Sequence, residues 1–162
     1  MLHIADWDHT NILITRVPKP NSKGGKNVPL KSGQTKEWLT LQLPAMKTPF
    51  GIQDYHGKGG GFNIKLVVTD EVLAKMEAFE TFIVNHAAEH AKVWFGKAVP
   101  REVVEYMFSS SLKRHEKWPA QLQIGVAEFK KIAPKSRVEV AIMCHGIWIS
   151  DKLWGISWEM IE

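Results

Sequence analysis

The sequence predicts a mainly β fold of the α+β class, a small and partly open barrel whose strand series is interrupted by a helical insert. Three observations carry this expectation. Apolar and polar residues alternate at period 2 in 35–43 and again after Gly61, as half-buried strands require. A central stretch from Val72 to Ala91 instead repeats its apolar residues at helical spacing. Alternating runs then return toward the C-terminus, so the order is strands, helices, strands.

The first candidate strand covers 11–17. The following segment, about 18–34, is rich in Pro, Gly, Asn and Lys and reads as a mobile, solvated basic loop. In the second strand, 35–43, Leu39, Leu41 and Leu43 fall on one face, with Lys36, Trp38, Thr40 and Gln42 on the other. Two prolines and Gly51 between Pro44 and Ile52 fit a shaped turn rather than continued pairing. The third strand, 61–68, groups Phe62, Ile64, Leu66 and Val68 on one side and Asn63 and Lys65 on the other.

Thr69 or Asp70 caps a helix whose Val72, Met76, Phe79, Ile83, Ala87 and Ala91 form one apolar face up to about Val93. Gly96 supplies the positive φ of a helix stop. A second helix starts at Pro100, carries Val103, Val104, Met107, Phe108 and Leu112, and ends before Trp118-Pro119. Strands at 121–126 and 137–144 follow, and a closing run spans 146–161. There Trp148 opposes Ile147 and Ile149, whereas Trp154 and Trp158 alternate in step with Ile156 and Met160 and belong to the core. The series fits a five-stranded barrel of the oligonucleotide-binding (OB) type with two helices between the third and fourth strands; a sandwich with appended helices has the same string.

At 162 residues the chain is expected to form one domain, 1–162, and to bury roughly two-thirds of its unfolded surface. No disulfide or metal staple is needed. Cys144 lies in the apolar run of Val138, Val140 and Ile142 and reads as a small buried hydrophobe, which fits a reducing compartment. No basic segment leading into an apolar core begins the chain, and no apolar run reaches membrane-spanning length, so neither secretion nor insertion is expected.

A net charge of +4 is too mild to name a partner, but its distribution is informative. Between Arg16 and Lys47 seven basic residues face the single acid Glu37, an excess of six, so the rest of the chain sums to −2. Within that segment Trp38 stands among polar residues beside lysine. An indole so displayed offers a surface for stacking a base next to phosphate; the bland alternative is that a neighbouring loop or strand covers it.

Pro49-Phe50-Gly51-Ile52, Trp94-Phe95-Gly96-Lys97, the Val103-Val104-Glu105-Tyr106-Met107 helix, Gly146-Ile147-Trp148-Ile149 and Gly155-Ile156-Ser157-Trp158 follow one another in an order with a precedent. The chain resembles, from about Lys36 to Ile161, the single-stranded-DNA-binding proteins of nucleocytoplasmic large DNA viruses, a family similar to OB-fold replication proteins of some tailed phages. The resemblance implies an OB barrel that coats single strands during replication, recombination or repair, without catalysis or cofactor. It implies an intracellular site of action, where DNA is replicated in the host cytoplasm or nucleus. Replication proteins are then natural partners. Phage relatives often end in a strongly acidic tail, whereas this chain ends Trp158-Glu159-Met160-Ile161-Glu162, so recruitment through such a tail is not carried over.

The residue pattern and the resemblance meet on the same side chains. Trp38 is the first stacking platform, with Phe50, Tyr55 and Trp148 as further ones. Lys36, Lys47, Lys58, Lys65 and Lys97 are the candidate phosphate contacts. The cluster Gly57-Lys58-Gly59-Gly60-Gly61 lacks the Gly-Lys-Ser/Thr ending of a P-loop, so ATP binding is rejected there. A different class of function rests on His86-Ala87-Ala88-Glu89-His90, which matches the H-x-x-E-H pattern of zinc peptidases. That site needs a third ligand, and Glu116, Glu128 and Glu139 sit in no recognisable ligand setting. An OB-like module for RNA or protein is the remaining alternative, since aromatic platforms accept any base. Exposed strand edges would also allow protomers to pair as a homodimer.

Overall fold

The computed structural model of the protein describes residues 1–21, 24–54, 61–128 and 130–161. Its strands are β1 (Leu2–His3), β2 (Ile12–Ile14), β3 (Lys19–Pro20), β4 (Lys26–Val28), β5 (Leu30–Ser32), β6 (Thr40–Gln42), β7 (Met46–Thr48), β8 (Ile52–Asp54), β9 (Phe62–Val67), β10 (Phe108–Ser109), β11 (Leu112–His115), β12 (Trp118–Val126), β13 (Ser136–Val138), β14 (Ala141–Ile149) and β15 (Trp154–Met160). The helices α1 (Asp70–Glu89), α2 (Ala91–Phe95) and α3 (Arg101–Met107) all fall between β9 and β10. The fold is mainly β with a helical insert, as the sequence predicts.

One curled, half-open sheet runs β1-β6-β14-β15-β12-β9-β7-β13, with β3, β4, β8, β10 and β11 attached beside that path. Strands β2 and β5 form a separate pair. The three strands at the centre each divide one edge between two partners. Strand β9 meets β7 and β8, β12 meets β15 and β11, and β14 meets β6 and β4. On β14 the change of partner falls at a bulge, where His145 is the extra residue and Gly146 has φ 99°. A Cβ on Gly146 would stand 2.6 Å from the Val28 carbonyl oxygen, so glycine is what lets β4 close on β14 here.

The core lies between the sheet and α1. Thr69 caps α1 by accepting the Val72 N–H at 3.2 Å, and Val72, Met76, Phe79, Ile83 and Ala87 are all buried. Each of the larger four contributes about 1.5–3 kcal/mol of transfer free energy on burial. Phe79 packs 4.9 Å from the Trp7 ring and 5.7 Å from the Trp158 ring, centroid to centroid, which fastens α1 to β15. Trp154 is also buried and donates its indole N–H to the Val104 carbonyl at 2.9 Å, tying α3 to the same strand. The α1 register ends at Glu89, and Gly96 closes α2 in the left-handed region with φ 76°.

Several expected boundaries are corrected. The segment 18–34 is not a free loop over its described residues: β4 pairs with β14 and β5 pairs with β2. Within 35–43 only Thr40–Gln42 is strand, because residues 33–37 make a turn through Lys36 at φ 62° and Trp38 forms an isolated bridge to Lys31. The strand break expected near His145 is instead the bulge, and β14 continues to Ile149 before the turn at 150–153. The second helix is shorter than expected, since α3 stops at Met107 and Leu112–His115 is a strand in a hairpin with β12. Three helices, not two, occupy the insert. The count of strands also exceeds the five expected, because short strands fill the divided edges.

Candidate nucleic-acid interface

Residues directly opposed across a sheet share a face. Arg137, Lys47, Val67, Gln121 and Lys113 are successive cross-strand partners on β13, β7, β9, β12 and β11. Their neighbours in sequence, Met46, Thr48, Leu66, Leu112 and Leu122, are buried, so this row lies on the outer face. Four inter-strand steps carry it about 19 Å. Lys65, opposite Gln123, stands on the same face one row along.

Two aromatic rings flank the row. Phe50 sits at the tip of a turn closed by the Thr48 hydroxyl, which accepts the Gly51 N–H at 3.1 Å. Gly51 has φ 66°, and a Cβ there would collide with the Ile132 carbonyl, so the turn depends on glycine. Trp118 opens β12 opposite His115, whose ring nitrogen Nδ1 accepts the Lys117 N–H at 3.1 Å and shapes the hairpin. Phe50 is 53% exposed and Trp118 66% exposed. Both rings line a cleft of about 600 Å³ together with Lys47, Lys113, Arg114 and Lys135.

The electrostatics of the cleft are one-sided. Arg114 is paired with Glu77 at 3.0 Å, and the Lys113 ammonium donates to the Ser110 carbonyl at 2.8 Å. Among the described residues no lysine takes part in an ion pair. Lys47, Lys113 and Lys135 therefore present unneutralised charge beside two apolar rings, a surface suited to a flat base and its phosphate.

Of the residues expected from sequence, Lys47 and Phe50 meet in this cleft and Lys65 lies on its face. Trp148 is half-buried on β14 and packs over Gly155, where a Cβ would come within 2.9 Å of its indole carbon Cζ2. Lys97 belongs to another cleft of about 460 Å³, beside Phe95 and Lys26. Trp38 is 43% exposed, with the Lys31 ammonium 5.7 Å from its ring centroid and Lys36 exposed on the turn before it. That group shares no lining residue with the Phe50–Trp118 cleft. Tyr55, Lys58 and most of the glycine cluster lie outside the described residues.

Lys113 and Arg114 escape the sequence reading because 100–117 is read there as helix, Trp118 because it is read as the end of that helix, and Lys135 because it lies in the connection between the strands read at 121–126 and 137–144. A signal was present. Leu122 and Ile124 alternate with Gln121 and Gln123, and that alternation extends back through Trp118 to the turn at Glu116-Lys117, a hairpin pattern.

The other candidate chemistry is geometrically weak. The His86 and His90 rings stack with centroids 4.2 Å apart, and His90 Nδ1 lies 2.9 Å from the His86 carbonyl oxygen, so that nitrogen is engaged with backbone. Burial, and then the neighbouring His90, holds the His86 imidazole below its usual range. Among the described residues no group of three His, Cys, Asp or Glu side chains is placed to hold a metal. Cys144 is buried, and burial pushes its thiol up to about 12. No helix among the described residues is long and apolar enough to cross a membrane.

Fold and site together define a β-rich protein with α1 on one side of a curled sheet and a basic, aromatic-flanked surface on the other. The chain belongs to a family of unknown function (DUF5871), whose match covers residues 52–162. That span includes Lys113, Trp118, Lys135 and Trp148 but leaves out Trp38, Lys47 and Phe50. No curated protein and no solved structure matches the chain.

Proposed function

We propose that the protein binds single-stranded DNA without catalysis and with little sequence preference, holding strands exposed during replication, recombination or repair inside the cell. The observation that carries this reading is the cleft in which Phe50 and Trp118 stand exposed among Lys47, Lys113, Arg114 and Lys135. Two stacked bases supply about 2–6 kcal/mol. Micromolar affinity needs about 8 kcal/mol. Stacking alone falls short, and release of counterions by about four cations, Lys47, Lys113 and Lys135 with Lys65 on the same face, provides the rest. Lysine ammonium groups are point charges without the fixed fork needed to read base edges, which is why little sequence preference is expected. A curled, half-open sheet with a helical insert is compatible with an OB-type barrel, and with that the likeness to the viral single-stranded-DNA-binding family becomes part of the same proposal.

The test is a tryptophan-fluorescence titration with an unstructured oligothymidine at several salt concentrations. Quenching is expected, with the logarithm of affinity falling against log salt at a slope near −3, about −0.7 for each of four contacts. Absence of binding, or binding indifferent to salt, would remove the proposal. Competition by matched RNA and by duplex DNA assigns the nucleic acid: the proposal expects the DNA single strand to win, and a preference for RNA would overturn the assignment to DNA.

A further inference from the structure

The basic row has a continuation. Strands β12 and β15 run parallel and pair only at Gly125–Glu159 and Val126–Met160. Toward their other ends they part, and β11 and β10 fill the fork. Beyond the fork a second row of direct cross-strand partners begins: Ser109, Gly155, Trp148, Asn27 and Lys19 on β10, β15, β14, β4 and β3. Counting back from the Gly125–Glu159 pair, Gln121 of the first row and Gly155 of the second are at equal distance along their strands. The rows therefore lie end to end, joined by Ser110 and Ser111 between Ser109 and Lys113. Asn27 and Lys19 are exposed, and Trp148 is half-buried.

The surface relief follows the same line. A cleft of about 230 Å³ fills the fork and has Lys113 in common with the Phe50–Trp118 cleft. Trp148 and Ser157 line that fork cleft and also a third one, of about 460 Å³, which reaches Asn27. Three clefts thus adjoin, each sharing wall residues with the next. Glu159, the acid on this face of β15, is held by His145 at 3.5 Å.

We infer that a single nucleic-acid strand crosses the whole sheet face along both rows, from Arg137 and Lys47 past Lys113, over Trp148, to Lys19. This rests on the reading proposed above and extends it by a third aromatic ring, Trp148, and a terminal cation, Lys19. Each row spans about 19 Å, so a short oligomer occupies one row and a longer one occupies both.

Oligothymidines of about 4 and about 16 nucleotides, the limits of site size for OB-type modules, separate the two rows. Lys47→Glu is expected to weaken both oligomers. Lys19→Glu, on an exposed edge strand, is expected to weaken only the longer one and to reduce its salt slope by about 0.7, one phosphate contact. Trp148→Phe keeps a ring over Gly155 and is expected to remove the part of the quenching that appears only with the longer oligomer. Should Lys19→Glu leave the longer oligomer unaffected while Lys47→Glu weakens both, the strand ends at Lys113 and the inference is overturned, with single-strand binding intact. Equal weakening of both oligomers by Lys19→Glu would overturn it too, as general repulsion. Failure of the unaltered protein to bind either oligomer would instead remove the proposed function itself.

Discussion

Replacing Trp118 by alanine separates stacking from folding. The ring is 66% exposed, so about a third of its surface is covered by protein. Of the roughly 250 Å² such a side chain can bury, about 80 Å² is at stake, and at about 25 cal/mol per Å² the stability lost is at most about 2 kcal/mol. A buried tryptophan such as Trp154 would cost about 3–5 kcal/mol on the same change. Loss of one stacked base lowers binding by about 1–3 kcal/mol. That is roughly a 5- to 150-fold rise in Kd. Anisotropy of a labelled oligothymidine measures the affinity, and urea unfolding at the same ionic strength measures the stability. No cation is removed, so the salt slope stays near its original value while the intercept drops. Trp118→Phe retains a ring and most of the affinity. A folded Trp118→Ala protein with unchanged affinity would refute the role of this ring, and a changed slope with unchanged intercept would mean that only charge is being read.

Three further outcomes are expected. Trp38→Ala should leave single-strand affinity nearly unchanged with the fold intact, because this ring lies off both rows, and a loss of about 1–3 kcal/mol in the same anisotropy assay would instead place a base on it. Gly146→Ala should destabilise the protein by about 2–4 kcal/mol in thermal or urea unfolding, because it places a Cβ at positive φ against the Val28 carbonyl. Cys144 should resist thiol reagents at pH 8 until denaturant is added. Since burial raises its folded value from 9.0 to about 12, unfolding releases a stronger acid, and stability should decline as pH rises through that interval, a decline absent in Cys144→Ala.

What the sequence discloses is what repeats locally. The leucine alternation at Leu39, Leu41 and Leu43, the helical face from Val72 to Ala87 and the paired positions of Trp154 and Trp158 are all buried where the period puts them. What it hides is decided by partners far along the chain. Nothing near Lys26 says that β14 will recruit it into a sheet, and nothing near Leu112 says that β12 will turn back upon it rather than extend a helix. The cleft is hidden for the same reason. Its cations come from three separate segments, at Lys47, Lys113 and Lys135, so the local charge excess at 16–47 indicates only one of them.

The register that builds the outer row also requires an unfavourable contact. Lys47 and Arg137 are directly opposed on β7 and β13, and like charges so placed cost roughly 0.2–1 kcal/mol. A slip of β7 by one residue would separate them, but it would turn every side chain of that strand over. Met46 and Thr48, both buried, would be carried into water; Met46 alone accounts for about 1.5–3 kcal/mol of burial. The core therefore outweighs the repulsion and keeps Lys47 directly opposite Arg137, whose guanidinium donates to the Ala45 carbonyl at 3.1 Å. An anionic chain laid along the row would relieve this repulsion and release the counterions gathered there. Packing on the inner face thus fixes the spacing of charge on the outer one, and a substitution that loosens Met46 should weaken binding without touching a single cation.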